Sequence, residues 1–151
     1  MKTITEGSTA PDFDLPDEKG NRVRLSETVA HGPVVLFFYP AAMTGGCTKE
    51  ACHFRDLAAE FKEAGGQRLG ISTDPVRRQL EFSDAHQFDY PLLSDESGEV
   101  ATTYRVRRRM VTPVKRATFV IDRDMTIRKV VTNEWNMSAH ADEALEALKA
   151  L

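Results

Sequence analysis

Cysteine, tryptophan, charge of one sign and long apolar runs are all scarce in this chain. Two cysteines, Cys47 and Cys52, in 151 residues are too few for a disulfide framework or a four-cysteine zinc site. The longest apolar run, Val34 to Tyr39, stops at Pro40 and is far shorter than the roughly 20 residues that a bilayer-spanning helix needs. No apolar segment follows Lys2 as a secretory signal requires, so the expectation is an intracellular, cytoplasmic protein without a membrane partner. There, stable disulfides are uncommon and cysteines more often do chemistry or bind metal. Lys+Arg is 20 against Asp+Glu 23, a net charge of -3, which argues against nucleic acid as a partner. No repeat, low-complexity tract or Pro/Gly-rich linker divides the sequence, so residues 1–151 are expected to form one domain. What is present is ordinary for a globular protein, 41% hydrophobic and 28% charged residues, and two thiols that suffice for a redox pair.

Periodicity gives the class. Phe13-Asp14-Leu15 and Arg22-Val23-Arg24-Leu25 alternate around the turn-like Asp17-Glu18-Lys19-Gly20, which predicts an N-terminal hairpin. Val34–Tyr39 is β-branched, aromatic and apolar on both faces, as a central buried strand should be. From Cys47 to Ala64 apolar residues recur at helical spacing until Gly65-Gly66, a stop signal. A strand over Arg68–Ser72, a helix from Pro75 to about His86, a strand at Tyr90–Leu93 and a short helix near Glu99–Tyr104 follow. Ala117–Asp122 and Thr126–Thr132 read as strands joined by a turn at Arg123-Asp124, and Ala139–Leu151 as a helix with an apolar stripe. Strands alternating with helices, plus a late hairpin, predict an α/β fold with a mixed sheet.

Chemistry concentrates where the buried strand meets the next helix, since ligands in open α/β sheets bind beyond the carboxyl ends of strands. With Thr44 as N-cap, its hydroxyl would reach the N–H of Cys47, the third helical position. Free N–H groups and the helix dipole favour anions there, and the thiolate is the nucleophilic form of cysteine. Cys52 lies five residues on. On an unbroken helix that spacing separates the Cα atoms by roughly 8.7 Å, beyond the about 7 Å limit for a disulfide. Either the pair never bonds, or the first turns unwind to let it bond, which Gly45-Gly46 would permit.

Pro40-x-x-x-Thr44-x-x-Cys47 resembles the peroxidatic signature of peroxiredoxins. Cys47-Thr48-Lys49-Glu50-Ala51-Cys52 is similar to the branch called peroxiredoxin Q or bacterioferritin comigratory protein. Ala10-Pro11-Asp12-Phe13, Phe37-Phe38-Tyr39-Pro40, Gly70-Ile71-Ser72, Pro91-Leu92-Leu93-Ser94-Asp95, Gly98-x-Val100-Ala101 and Arg116-Ala117-Thr118-Phe119-Val120-Ile121-Asp122 match in order. The resemblance implies a thioredoxin-like fold with an N-terminal extension, and a thiol peroxidase acting in antioxidant defence. Cys47 would be the peroxidatic nucleophile and Cys52 the resolving thiol. Thr44 would hydrogen-bond the peroxide, Pro40 would shield the thiolate, and Arg116 would supply a permanent positive charge. Glu50 would orient Arg116, with Gly46 in a supporting place. Peroxide and a thioredoxin-like dithiol reductant are the implied partners; no metal, flavin or nucleotide cofactor is implied. Two departures stand out: Gly45 where the family usually has proline, and Arg105 where glycine is expected after Tyr104.

Other residues carry blander expectations. The basic run Arg105, Arg107, Arg108, Arg109, Lys115 and Arg116 reads as a solvated loop leading into Arg116. His53 beside Cys52 makes a poor half of a metal site. His31, His86 and His140 read as surface histidines, and Trp135 and Met137 as packing residues. A disulfide oxidoreductase usually carries Cys-x-x-Cys, which this chain lacks, and a redox or metal-binding module would need no Thr44/Arg116 pair. With no large apolar surface stripe, a monomer is expected.

Overall fold

The computed structural model describes residues 4–108 and 113–151; Arg109 of the basic run lies outside them. Asp14–Pro16 (β1) pairs antiparallel with Arg22–Arg24 (β2) in a separate two-stranded hairpin. Its turn is held by Asp17, whose Oδ1 accepts from the N–H groups of Lys19 and Asn21, both at 2.9 Å. A short helix Leu25–Thr28 (α1) and one 3-10 turn, Val29–His31, lead into Val34–Phe38 (β3).

All five residues of β3 are buried, as expected of a strand apolar on both faces. It is the centre of a five-stranded sheet ordered β5-β4-β3-β6-β7, built with Gln67–Ser72 (β4), Leu92–Ser94 (β5), Ala117–Ile121 (β6) and Ile127–Val131 (β7). β3, β4 and β5 run parallel; β6 and β7 are antiparallel to their neighbours. The helices are Gly45–Asp56 (α2), Ala58–Glu63 (α3), Val76–His86 (α4), Glu99–Thr103 (α5) and Met137–Lys149 (α6). Two cores flank the sheet, one around Leu36, Phe38, Tyr104 and Phe119, the other around Phe37, Tyr39, Phe54, Phe82 and Leu145. This is the mixed α/β class with a separate N-terminal hairpin that the periodicity predicts. Among the described residues no helix is long and apolar enough to cross a membrane.

Four expectations are corrected. The single helix over Cys47–Ala64 is two, broken at Leu57. Arg68 Nη1 donates to the Phe54 carbonyl at 2.8 Å, occupying the acceptor that a continuing helix would offer to residue 58, and such an insertion bends or ends a helix. The last helix starts at Met137 rather than Ala139, because the Asn136 side chain caps the Ala139 N–H. Trp135 is not a packing residue: it is 94% exposed, while Met137 is buried. Nor is His140 on the surface; it is fully buried on the inward face of α6, with both ring nitrogens partnered. Arg105 has φ 60°, which explains the glycine expected there: a left-handed backbone costs an L side chain about 1–2 kcal/mol.

Candidate active site

The sheet register assembles the site. β3 and β6 pair antiparallel with Phe38 opposite Ala117, so the segment leaving β3, Tyr39-Pro40, lies beside the segment entering β6, where Arg116 stands. Residues 76 apart in sequence thus meet at the carboxyl end of the central strand, where α/β sheets place their ligands.

The connection from β3 to α2 is fastened from β4. The Ala42 N–H donates to Asp74 Oδ2 at 2.8 Å, which also accepts from Ser72 Oγ at 2.6 Å. Gln79 Nε2 donates to Ser72 Oγ at 2.9 Å and to the Leu93 carbonyl at 2.7 Å, while the Tyr39 hydroxyl donates to Gln79 Oε1 at 2.5 Å. Pro40 and Ala42 are buried in consequence. Met43 has φ 67° and is 43% exposed.

Thr44 is the N-cap by backbone geometry, and its carbonyl accepts from the Thr48 N–H at 2.8 Å. Its hydroxyl does not cap. Oγ1 donates instead to the Ala41 carbonyl at 2.8 Å, which corrects the expected bond to the Cys47 N–H. The first-turn N–H groups, Cys47 included, therefore keep the unpaired character that suits a helix N-terminus to an anion. Cys47 is 1% exposed, and Cys52 is half-buried on the same helix; both are free thiols. Burial pushes the Cys52 thiol up, against a smaller opposing pull from Arg55.

Arg116 is 9% exposed. Its Nη1 donates to Glu50 Oε1 at 3.1 Å, and its backbone N–H to Glu134 Oε1 at 3.2 Å. A Cβ on Gly46 would stand 2.8 Å from Arg116 Nη2 and 3.7 Å from Met137 Sδ. Glycine at 46 is thus what lets the guanidinium reach the turn that carries Cys47. Glu50 is fully buried, and burial pushes its carboxyl up to about 8 despite the opposing pull of Arg116.

Two side-chain contacts tie α2 to α6, Glu50 Oε2 to His140 Nδ1 at 3.5 Å and His53 Nε2 to Asp142 Oδ1 at 2.7 Å, and Met137 Sδ stands 3.7 Å from where a Cβ on Gly46 would be. The α2 residues 46, 50 and 53 share one face at helical spacing.

Six of the seven expected residues, Pro40, Thr44, Gly46, Cys47, Glu50 and Arg116, gather at this corner, while Cys52 sits a turn further along α2. Sequence reading missed Asp74, Glu134 and His140 as supports. The local sign of His140's inward place is its spacing on α6, in line with the buried Met137, Ala141, Ala144 and Leu148. Among the described residues no group of three or more His, Cys, Asp or Glu is arranged to hold a metal ion. A surface cleft of about 580 Å³ lined in part by Arg68, Asp89 and Tyr90 contains none of the site residues.

Comparison with known proteins matches residues 7–130 to the AhpC/TSA family. The crystal structure of peroxidoxin BcpB from Mycobacterium tuberculosis superposes with a TM-score of 0.94 at 56% identity, covering 98% of each chain. Peroxiredoxin Q of Xanthomonas campestris gives 0.84 at 30% identity, over 91% of this chain and 90% of that one. The chloroplastic peroxiredoxin Q of Suaeda salsa is 40% identical over 149 residues, 98% of this chain and 69% of its own. These likenesses confirm the thioredoxin-like fold of peroxiredoxins. The chain belongs to the AhpC/TSA family, in its peroxiredoxin Q or bacterioferritin-comigratory-protein branch, and is a peroxidase.

Proposed function

We propose that the chain reduces hydrogen peroxide and organic hydroperoxides through Cys47 and is recycled through a Cys47–Cys52 disulfide. The observation that carries this reading is that the Arg116 guanidinium lies against Gly46, the residue before Cys47, at the carboxyl end of β3. The Cys47 thiolate attacks one peroxide oxygen. The O–O bond breaks as the S–O bond forms, leaving a sulfenic acid on Cys47 and an alkoxide or hydroxide that takes a proton to leave as alcohol or water. Negative charge grows on the departing oxygen, and donors aimed at it stabilise the transition state more than the ground state. Arg116 and the unpaired first-turn N–H groups are those donors. Thr44 contributes its hydroxyl, and Pro40 excludes water from the sulfur.

Cys52 then attacks the Cys47 sulfur and displaces water, forming the disulfide. Five residues of intact helix hold the two apart, so the start of α2 unwinds first. An external dithiol such as a thioredoxin reduces the disulfide by exchange, ending oxidised itself. The same reading puts the protein in the cytoplasm, among such reductants. The breadth toward organic hydroperoxides is supported by the Xanthomonas campestris bacterioferritin comigratory protein, 30% identical with a TM-score of 0.84, whose structure is described for its alkyl peroxide reduction activity.

The test adds one equivalent of hydrogen peroxide to the reduced protein, followed by stopped-flow and mass spectrometry. The wild type should end as an intramolecular disulfide, and Cys52→Ser as a trapped sulfenic acid. In Cys47→Ser both steps should vanish. Peroxide consumption by Cys47→Ser at the original rate overturns the assignment.

A further inference from the structure

Glu50 and His140 meet in the interior between α2 and α6, both with no exposed surface. His140 Nε2 lies 2.6 Å from the Asn133 carbonyl. A carbonyl only accepts, so Nε2 carries the hydrogen. In the neutral ring Nδ1 then offers one lone pair, which can accept either from Thr118 Oγ1, 2.8 Å away, or from a proton on Glu50, but not from both. The same Nδ1 faces Glu50 Oε2 at 3.5 Å. That oxygen has no hydrogen-bond partner among the described residues; its twin, Oε1, is the one that holds Arg116. A carboxylate oxygen facing a lone pair in a dry interior is repelled, and one proton between the two atoms removes the conflict.

We propose that His140 is a positioning residue of the site: it shares one proton with Glu50, so that Glu50 orients Arg116 without neutralising it. With the proton present, Glu50 accepts from the guanidinium as a neutral acid, and the positive charge of Arg116 is left to the sulfur and the departing oxygen. With the proton gone, Glu50 and Arg116 become a buried ion pair, and that charge is spent inside the protein. This inference rests on the reading of Cys47 and Arg116 as the reacting centre.

The surroundings agree. Burial raises Glu50 and lowers His140, so at neutral pH the acid is protonated and the ring uncharged. Arg116 opposes the proton on both groups, whereas Glu134, in the loop before α6, favours it on both. Glu134 is itself paired with Arg108 at 2.8 Å. Glu143, further along α6 and 3.9 Å from Lys129 of β7, favours it on His140. From the loop before β5, the Tyr90 hydroxyl donates to the Ala51 carbonyl, next to Glu50 on α2. Such a pair titrates as a unit.

The test is the pH profile of the second-order rate at which peroxide oxidises reduced protein. For the wild type the rate should fall on an alkaline limb near about 8, where Glu50 loses its proton. Glu50→Gln, whose amide reproduces the protonated acid, should abolish that limb. His140→Leu removes the facing lone pair and so favours the ionised carboxylate; the limb should move about one unit toward acid. In the Glu50→Gln background, His140→Leu should move nothing. An unmoved limb in His140→Leu, or the same shift in the double variant, overturns the proposal.

A ¹⁵N spectrum of the reduced protein guards against a His140→Leu chain that does not fold. His140 should be the Nε2–H tautomer, with an Nδ1 resonance that titrates along the alkaline limb in the wild type and not in Glu50→Gln. An Nδ1 resonance indifferent to Glu50 overturns the proposal as well. Failure of the Cys47 reading is distinguishable, because it appears as peroxide consumption by Cys47→Ser, a readout His140 does not enter.

Discussion

The two halves of α2 are held in different ways. Its second half is bolted down: the Ala51 carbonyl accepts from the Tyr90 hydroxyl at 2.7 Å, the Phe54 carbonyl from Arg68 Nη1 at 2.8 Å, and Arg55 Nη1 donates to the His86 carbonyl at 2.8 Å. Phe54 is fully buried and stacked on Phe37, ring centroids 4.1 Å apart at 8°. The first half starts at an N-cap whose hydroxyl does not cap, runs through two glycines, and adds side-chain contact mainly through Cys47 and Glu50. Cys52 belongs to the fixed half and Cys47 to the loose one. The proposed disulfide between them would need the helix to open, and these contacts favour an opening at Gly45–Thr48 that carries Cys47 toward a Cys52 that stays in place. Local stability is uneven in the way that such a step requires.

The largest effect should come from the fixed half. Phe54→Ala should cost about 3–5 kcal/mol in chemical unfolding, as for a buried aromatic whose cavity cannot collapse. Thr44→Val, by contrast, should change stability by less than about 0.5 kcal/mol, where a working N-cap would cost about 1, while lowering the peroxide rate. A full capping penalty for Thr44→Val would erase the contrast between the halves.

A smaller effect concerns closure. Proline fits at Gly45: an added Cβ meets nothing within 4 Å, Thr44 already has the extended φ -89°, ψ 157°, and the position is the first of the helix. Gly45→Pro should stabilise the closed turn by about 0.4–1 kcal/mol and slow disulfide formation by up to about fivefold. Stopped-flow measurement after a peroxide pulse checks this; an unchanged or faster closure counts against the placement of the opening.

The gentlest probe is pH. Glu50, in the loose half, has a folded pKa raised from 4.5 to about 8, so between those values the folded state binds more protons than the unfolded one. Stability contributed by this group is therefore present at low pH and lost as pH rises through that window. Unfolding midpoints should decline accordingly in the wild type, and Glu50→Gln should decline less.

Much of this was legible before any coordinates. β3 was visible as an apolar run, α2 began where Thr44 and the glycines placed it, and the ordered motifs through Arg116 named the family. Residues with long-range partners were not legible. The break at Leu57 comes from an Arg68 side chain 14 residues from the carbonyl it takes. Asp74 fastens Ala42 across 32 residues, and His140 answers to Thr118 across 22. His140 reads as a surface histidine because a lone polar residue in an amphipathic helix usually is one; only the two partners brought to its ring nitrogens, Thr118 and the Asn133 carbonyl, make burial tolerable.

The sequence by itself determined the two thiols, their five-residue spacing and the local elements that carry them, because periodicity and helix signals act over a few residues. The tertiary structure alone decided that Arg116 lies against Gly46, that Glu50 is dry and faces His140, and which half of α2 is fixed. Those are matters of sheet register and of burial between elements far apart in the chain, where desolvation, rather than residue type, sets the charge a side chain carries.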